Sequence, residues 1–394
     1  MLFQVLDDKK DCVSVCLDGK IIRDPSFEDL TQTWRWTPSI GDNDVECAFL
    51  YAGGKNLNDL CPEDLREEWT HLLKKFAAFN TAFSEAKIET RDVCRDLLIP
   101  DRYFKELCFL KDKISEHVFQ NYEKPSNYDF LYTLSRVLEE IKTQRLNIIP
   151  YSLDDKMSAY KTRAFARKLK FIQPYINYDV FGTKTGRLTT KRNSFPILTL
   201  DKDHREVIHP NNDYFIELDF NAAEIRTFLA LAGIPQPKED IHTWINQNVF
   251  KGQKTRAETK KAVFAWLYNP KASNKKLESL FKRDEIVAKH WDGTHITTPF
   301  GRKIEADGDK ALNYIIQSTS SDIFLRQMIA VHEELKEKRT NIAFCIHDSL
   351  ILDYNRQDGK LLDELINIFE ETNLGDFQVN VSTGKNFGDM RKIL

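Results

Sequence analysis

The chain has 394 residues and a formal net charge of −3, with 41% hydrophobic and 30% charged residues. This length allows one to three domains, and the composition is that of a folded protein with real cores. No run reaches the roughly 18 apolar residues that a membrane helix requires, and the first residues lack the pattern of a secretory signal. The seven cysteines are scattered and complete no zinc site, so we expect reduced thiols in a cytoplasmic protein.

The first 92 residues alternate strand-like and helix-like runs, which predicts a small α/β domain over residues 1–92. The segments 12–22 and 45–54 have strand composition and contain turn glycines. The segment 62–79 starts with a proline, has acidic residues in its first turn and carries apolar residues at helical spacing. These features predict a helix there.

The rest of the chain, residues 93–394, mixes helices with strands and predicts an α+β fold class. Several helices are expected between residues 95 and 150, and the clearest of them covers 129–146. From residue 155 onward, strand-like and helix-like segments alternate. The clearest of these segments are 215–220, 255–268, 311–336 and 342–354.

One stretch has a charge balance opposite to that of the whole chain. Residues 155–192 contain ten basic residues and two acidic ones. The basic residues are Lys156, Lys161, Arg163, Arg167, Lys168, Lys170, Lys184, Arg187, Lys191 and Arg192. Such a stripe suits contact with a phosphate backbone, but a solvated helix face has the same composition. The charge alone gives these two interpretations equal weight.

Two aspartates lie where strand-like runs end, and both are candidates for a metal site. Asp219 ends an apolar run, and a predicted helix with Glu224 in its first turns follows. Taken alone, Asp219 also fits a surface residue that caps the helix. The pair His347–Asp348 interrupts an apolar run, and because burial of an unpaired charge is costly, we expect a tight turn between antiparallel strands there. Two such carboxylates can hold two cations about 4 Å apart for nucleotidyl transfer.

The segment 255–268 carries Arg256, Lys260, Phe264 and Tyr268 at intervals of four residues. On a helix these residues share one slowly drifting face. A core face would exclude the cations, and a solvated face would exclude the rings. A face that binds a nucleoside triphosphate needs both, because cations hold the phosphates and a ring covers the base and sugar.

These segments resemble, in chain order, the motifs of family A DNA polymerases, the group that includes bacterial DNA polymerase I. The resembling segments are DFNAAEIR (219–226), the helix with Arg256, Lys260, Phe264 and Tyr268, and the pair His347–Asp348. Supporting matches are TGRLTT (185–190), His242, and Asn313 with Gln317. The resemblance covers residues 175–390 and, more loosely, 95–175. It implies a right-hand polymerase, with an antiparallel palm sheet and helical fingers and thumb.

The resemblance also implies domain bounds and residue roles. The thumb would cover about 93–170, the palm about 171–235 and 300–394, and the fingers about 236–299. Two Mg²⁺ ions, or Mn²⁺ in their place, would be bound by Asp219, Asp348 and the carbonyl of Phe220. The triphosphate would contact His242, Arg256 and Lys260, and Lys260 could protonate the leaving pyrophosphate. The nucleotide would pack on Phe264 and Tyr268, and Glu224 would crowd its sugar. The DNA contacts would be Lys184, Arg187, Lys191, Asn313, Gln317 and His347.

Ser349 departs from the family pattern, since it occupies the position of the acid in an HDE motif. Together with short fingers, this suits a compact, phage-type member. The implied partners are primer–template DNA and dNTPs, without a membrane, and a replisome or processivity partner is left open. The expected location is the cytoplasm, or the host cytoplasm for a viral enzyme.

Residues 1–92 precede the polymerase, where many relatives carry a 3′–5′ exonuclease, but the acids of its signatures are displaced. A segment that starts at Asn80 reaches its acid one residue late, at Glu85. On a helix this shift rotates the carboxylate by about 100°. Asp44 and Glu46 precede a strand-like run instead of ending one. We therefore expect a reduced, inactive exonuclease-like domain without proofreading, or an unrelated small domain.

Three alternatives to a DNA polymerase remain. A single-subunit RNA polymerase shares the palm chemistry but would have a small residue at the position of Glu224. A catalytically inactive DNA-binding accessory protein would not need to retain Asp219, Asp348 and Arg256. A nuclease or HD-type phosphohydrolase would need more His and Asp ligands than the pair at His347 supplies.

Overall fold

The computed structural model describes residues 1–7, 13–90, 93–269 and 272–394. The chain divides into two compact units, Met1–Thr143 and Gln144–Leu394. The boundary expected from the sequence, at residue 92, differs from this division. A helix that begins at Asp101 explains the difference, because its buried side chains Phe104, Leu110 and Ile114 belong to the same hydrophobic core as the preceding helices.

In its described residues, the first unit combines short strands with α-helices. Its strands are β1 (Gln4–Val5), β2 (Ser14–Leu17), β3 (Lys20–Arg23), β4 (Gln32–Thr33) and β5 (Glu46–Cys47). Its helices are α1 (Ala48–Tyr51), α2 (Leu57–Leu60), α3 (Arg66–Glu85), α4 (Asp101–Asn121) and α5 (Tyr128–Thr143). Strands β1, β2 and β3 form an antiparallel sheet, and β4 pairs with β5 in parallel. Helices and strands are thus mixed in this unit, while an α/β domain with bounds at 1–92 stays a prediction.

Most of the elements predicted in this unit are present. The segment 12–22 contains most of the hairpin β2–β3, although Cys12 lies outside the described residues. The helices predicted at 62–79 and 129–146 are α3 and α5. The strand predicted at 45–54 is wrong beyond Cys47, because the chain turns there into α1, whose Ala48 and Leu50 enter the core.

The second unit is built on a larger sheet with helices around it. Its strands are β6 (Asn147–Ile148), β7 (Tyr178–Asp179), β8 (Thr189–Thr190), β9 (Ile208–His209), β10 (Tyr214–Phe220), β11 (His295–Thr297), β12 (Lys303–Glu305), β13 (Asn341–Ile346), β14 (Ser349–Tyr354), β15 (Glu371–Thr372), β16 (Gly375–Asp376), β17 (Val379–Gly384) and β18 (Arg391–Lys392). Its helices are α6 (Tyr160–Leu169), α7 (Ala223–Leu231), α8 (Ile241–Asn248), α9 (Arg256–Tyr268), α10 (Lys275–Phe281), α11 (Arg283–His290), α12 (Gly308–Glu334) and α13 (Leu361–Glu370).

The central sheet has five antiparallel strands in the order β13-β14-β10-β17-β18. Strand β10 lies in the middle and buries Phe215, Ile216, Leu218 and Phe220. Helix α12 packs against α7 and α13. The α+β class predicted from the sequence is confirmed by this arrangement.

A second core holds α8–α11 together with α7 and the first half of α12. Phe228 of α7 stacks on Trp266 of α9 and on Phe281 of α10, with ring centroids 5.8 Å and 4.6 Å apart. Helix α9 begins with a capping box, in which Thr255 and Glu258 satisfy each other's backbone N–H groups. The helix predicted at 255–268 is therefore confirmed, and it buries Thr259, Val263, Trp266 and Leu267 while Arg256 and Lys260 are exposed.

Within the described ranges, no helix is long and apolar enough to cross a membrane. The cysteines that are free in the described part of the chain are all buried, namely Cys16, Cys47, Cys61, Cys108 and Cys345. Cys94 is disulfide-bonded, so the expectation of reduced thiols is wrong at that residue.

Candidate active site

Asp219 lies near the end of β10, between two strands that both contact its carboxylate. Its neighbours in register are Ser349 on β14 and Asn380 on β17. The hydroxyl of Ser349 donates to Oδ1 of Asp219 at 2.7 Å, and the amide of Asn380 donates to Oδ2 at 3.4 Å. Burial raises the pKa of Asp219, and these two hydrogen bonds oppose the increase. Both carboxylate oxygens of Asp219 are thus held by hydrogen bonds from the two neighbouring strands.

Asp348 is brought beside Asp219 by a two-residue hairpin turn. Ile346 pairs with Ser349, so His347 and Asp348 form the turn between β13 and β14, as the sequence predicts. His347 adopts a left-handed backbone with φ of 54°. Burial raises the pKa of Asp348, and the negative charge of Asp348 also raises the pKa of Asp219. The two carboxylates are therefore close enough to repel each other.

A third acid, Glu217, was missed by the sequence analysis. Side chains two residues apart on a strand point to the same face, so Glu217 and Asp219 share one side of the sheet. The hydroxyls of Ser349 and Ser382 lie beside the carboxylate of Glu217. Burial raises its pKa, and Asp219 raises it further. The alternation of acids along FIELDF is the signal that would have revealed Glu217.

This concentration of buried negative charge fits divalent cations. Burial raises the pKa of Glu217 and of Asp219, Asp219 raises that of Glu217 further and Asp348 raises that of Asp219, and a bound cation would offset this unfavourable negative charge. Among the described residues, no three His, Cys, Asp or Glu side chains are arranged around one metal position. Asp219 and Asp348 would therefore hold cations as a pair, with the remaining coordination from water, backbone or substrate oxygens.

Glu224 lies in the first turn of α7 and forms an ion pair with Arg187. Both line a cavity of about 120 Å³ that also contains Asp348. The remaining lining residues are Ala222, Ala223, Phe264, Ser320, Ser321, Phe324 and His347. The structure thus brings palm, fingers and TGRL residues to one cavity. The charged partner of Glu224 is Arg187 of the TGRL segment.

Gly186 explains how Arg187 is placed. It has φ of +78°, and an added Cβ would lie 2.5 Å from Cζ of Arg302. Arg302 is itself fixed by a buried ion pair with Asp322 of α12, with 2.5 Å between nitrogen and oxygen. The glycine of the TGRL segment therefore lets the backbone pass directly over a fixed guanidinium.

The exposed side of α9 carries the predicted cations. Arg256 makes two hydrogen bonds, of 3.0 Å and 2.8 Å, to Asp240, which caps α8. Burial alone would raise the pKa of Asp240, but the hydrogen bonds from Arg256 and Thr243 hold this pKa well below its usual range. This pair is partly exposed, so opening it would cost only about 0–1 kcal/mol. Arg256 could therefore exchange Asp240 for a phosphate.

His242, Lys260 and Tyr268 surround Phe264. The ring of His242 is 6.2 Å from that of Phe264, Nζ of Lys260 lies 5.9 Å from its centroid, and Tyr268 stacks on it at 5.7 Å. Burial lowers the pKa of His242 to about 4, so its imidazole is neutral near pH 7. The four-residue spacing thus produces the mixed cationic and aromatic face that the sequence predicts.

The residues predicted to contact DNA do not all lie at the cavity of Glu224 and Asp348. Lys184 and His347 are exposed, whereas Lys191 and Gln317 are half-buried. Asn313 lines a different cavity, of about 420 Å³, together with Trp291 of the fingers, and its Oδ1 has no hydrogen-bond partner among the described residues. The structure therefore does not place Asn313 in the cavity that holds Glu224 and Asp348.

Known proteins resemble this chain in both sequence and fold. The family model for DNA polymerase family A matches residues 282–389, which include His347 and Asp348. DNA polymerase I of Chloroflexus aurantiacus is 22% identical over 272 residues, which is 55% of this chain and 29% of that protein. A solved structure, the POL domain of Pol1 from M. smegmatis in complex with DNA primer-template and dNTP, has a TM-score of 0.60 and 13% identity. It covers 87% of this chain, and the match covers 81% of the solved one.

The fold is therefore that of a polymerase domain. The family model for DNA polymerase family A matches residues 282–389, which agrees with the family that the sequence motifs resemble. The chain spans about 29% of the length of the curated relative.

Proposed function

We propose that this chain is a template-directed DNA polymerase that adds dNTPs to a primer 3′ end by two-metal nucleotidyl transfer. The observation that supports this most directly is the pairing of Asp219 with Ser349, which sets Asp219 beside Asp348 in a family A domain. An acid on β10 and an acid in the neighbouring β13–β14 turn suit two hard cations.

Asp219 and Asp348, with the backbone of Phe220, would hold two Mg²⁺ ions, for which Mn²⁺ can substitute. The metals, when bound, activate the primer hydroxyl and stabilise the leaving pyrophosphate. Ser349 and Asn380 keep the Asp219 carboxylate in one orientation.

The fingers face would bind the nucleotide. Arg256 and Lys260 attract the triphosphate, and neutral His242 donates a hydrogen bond to it instead of a charge. Lys260 also supplies the proton that the pyrophosphate takes as it leaves. Phe264 and Tyr268, already stacked on each other, offer ring surface to the base and sugar.

Glu224 would exclude a 2′-hydroxyl from the cavity, because its carboxylate is held by Arg187 and moving it aside would cost free energy. Primer–template DNA would contact the exposed basic residues of 155–192. The proposed DNA contacts are Lys184, Arg187, Lys191, Asn313, Gln317 and His347. The proposed location is the cytoplasm, or the host cytoplasm for a viral enzyme.

We also propose that the chain lacks proofreading. Within the first unit, the carboxylate of Glu46 is engaged in structural contacts. It accepts a hydrogen bond from the hydroxyl of Tyr51 at 3.0 Å and forms an ion pair with Lys124 at 3.0 Å. Asn80 accepts from Arg95 on the surface. These residues serve the packing of the unit, which supports a domain without nuclease chemistry, whether exonuclease-like or unrelated.

Primer extension with labelled DNA, Mg²⁺ and dNTPs tests the main proposal. We expect extension by the wild type and its loss in Asp219→Asn and Asp348→Asn, with DNA binding retained. Asp353→Asn is not a suitable control because Asp353 anchors the loop 211–212, so Asp376→Asn, on exposed β16, serves instead. Extension with rNTPs but not dNTPs would support the RNA polymerase alternative, and extension by neither would support an inactive accessory protein.

A further inference from the structure

A cavity of about 1020 Å³ lies in the second unit, lined by residues between Arg145 and Asn211. Its lining shares no residue with the 120 Å³ cavity of the candidate active site. The volume lies at the upper end of the range of about 300–1,000 Å³ that is usual for ligand sites, so the cavity has room for a ligand.

Two aromatic rings at this cavity are far more exposed than aromatic rings usually are. Phe171 is 86% exposed and Tyr151 is 71% exposed, and both line the cavity. Large apolar side chains at the surface carry information when they border a site. Rings on two sides of one cavity offer flat faces to a planar ligand.

The backbone around both rings is fixed. Leu146 donates to the carbonyl of Pro174 at 2.8 Å, which joins the two sides of the cavity. The N–H of Phe171 donates to Lys168, and the N–H of Ile149, near Tyr151, donates to Val207. The rings therefore project from held backbone, so little ordering is needed when a ligand binds.

Two of the residues that line the cavity are cations, Arg145 and Lys170, and Asp154 lines it as well. The segment around them is basic, since residues 144–175 contain seven basic residues and two acidic ones. Lys156 pairs with Glu206 and Arg163 binds backbone carbonyls, so those two cations are used within the fold. The cations available at the cavity itself are therefore Arg145 and Lys170.

We propose that this cavity is a binding site for single-stranded DNA, whose bases stack on Phe171 and Tyr151 while its phosphates contact Lys170 and the neighbouring cations. Stacking platforms combined with a cationic border are what unpaired strands require, because each base exposes a flat face and each linkage carries a charge. The site is separate from the proposed polymerase chemistry and needs neither metal nor dNTP.

Fluorescence anisotropy with labelled oligo-dT of about 12 nucleotides, without metal or dNTP, tests this site. We expect Phe171→Ala and Tyr151→Ala each to weaken binding about tenfold, as loss of one stacked base does. Lys170→Ala should lower the slope of log affinity against log salt by about 0.7. A duplex of the same length should compete through its phosphates, but its binding should be unaffected by Phe171→Ala and Tyr151→Ala, because paired bases cannot stack on the rings.

The control is Phe109→Ala, because Phe109 is a 55% exposed ring on α4 in the first unit. Asp219→Asn should bind oligo-dT as the wild type does, which separates this site from the polymerase proposal. Circular dichroism verifies that each variant folds. Unchanged affinity for oligo-dT in the Phe171→Ala/Tyr151→Ala double variant would overturn the site and would point to a protein partner for this surface. An equal loss of affinity in Phe109→Ala would overturn it as well.

Discussion

The hydroxyl of Ser349 donates a 2.7 Å hydrogen bond to Oδ1 of Asp219 from the position directly opposite it in the sheet. In the resembling motif that position holds an acid. A hydroxyl there replaces a second charge with a hydrogen bond, and it orients the acid that remains.

Ser349→Ala should therefore weaken catalysis without abolishing it. Loss of a hydrogen bond to a charged group costs about 1.5–3 kcal/mol, which corresponds to a decrease of about 10- to 100-fold in kcat/KM. The measurement is primer extension over a range of Mg²⁺ concentrations. Ser382→Ala is the matched control, since Ser382 is a serine on the neighbouring strand that lies opposite Glu217 and not opposite Asp219. Equal losses in both variants would contradict the orienting role of Ser349.

Glu217 should supply negative charge that position 349 lacks. Glu217→Gln removes a negative charge on the same face of β10 as Asp219, and it should weaken Mn²⁺ binding several-fold, because cation affinity follows the local negative charge. Calorimetric Mn²⁺ titration of the protein without DNA measures this directly. Ser349→Asp in the Glu217→Gln background should restore affinity. If the double variant binds Mn²⁺ no more tightly than Glu217→Gln does, the negative charge is not interchangeable between positions 217 and 349.

Glu224→Ala should increase ribonucleotide incorporation. The carboxylate is held by Arg187 in the cavity that contains Asp348, so its removal opens space beside the incoming sugar. The ratio of kcat/KM for dNTP to that for rNTP should fall at least tenfold, which is the effect of about 1.4 kcal/mol of lost discrimination. Tyr268→Phe serves as the comparison, and because Glu224 pairs with Arg187, it should leave the ratio nearly unchanged. A wild-type ratio near one would favour the RNA polymerase alternative.

Stability should depend on the ionisation of His242. Burial lowers its pKa to about 4, whereas an unfolded histidine titrates near 6.5. The neutral form is favoured in the fold, so the stabilising contribution is present above pH 6.5 and is lost as the pH falls towards 4. The free energy of unfolding of the wild type should thus decrease over this window more than that of His242→Gln. Urea titrations at several pH values measure it, with exposed His71→Gln as the control. Parallel pH profiles for wild type and His242→Gln would rule this out.

The sequence predicted those elements that depend only on residues close together in the chain. The apolar alternation in β10, the capping box before α9 and the charged pair at the β13–β14 turn each produce the expected element. The sequence could not predict which partner Glu224 takes, because Arg187 reaches it only through the fold. The same holds for the first unit, where α4 joins a core that sequence spacing assigned to a separate domain.

Gly186→Ala should disturb the active site more than other glycine substitutions at positive φ. Its Cβ would meet Cζ of Arg302 at 2.5 Å, and the ion pair between Arg302 and Asp322 prevents the guanidinium from moving away. Gly233 is the matched control, since it has φ of +71° with no atom within 4 Å of an added Cβ. Gly233→Ala should cost only the left-handed strain of about 1 kcal/mol, whereas Gly186→Ala should cost more than that.

The two variants should also differ in function. Displacement of the backbone at Gly186 moves Arg187 away from Glu224, so Gly186→Ala should lower the preference for dNTP over rNTP, while Gly233→Ala should not. Thermal unfolding gives the stability difference, and the ratio of kcat/KM values gives the selectivity. If Gly186→Ala loses stability but keeps wild-type sugar selectivity, then Arg187 does not position Glu224, and the carboxylate is held in the cavity by the packing of α7 alone.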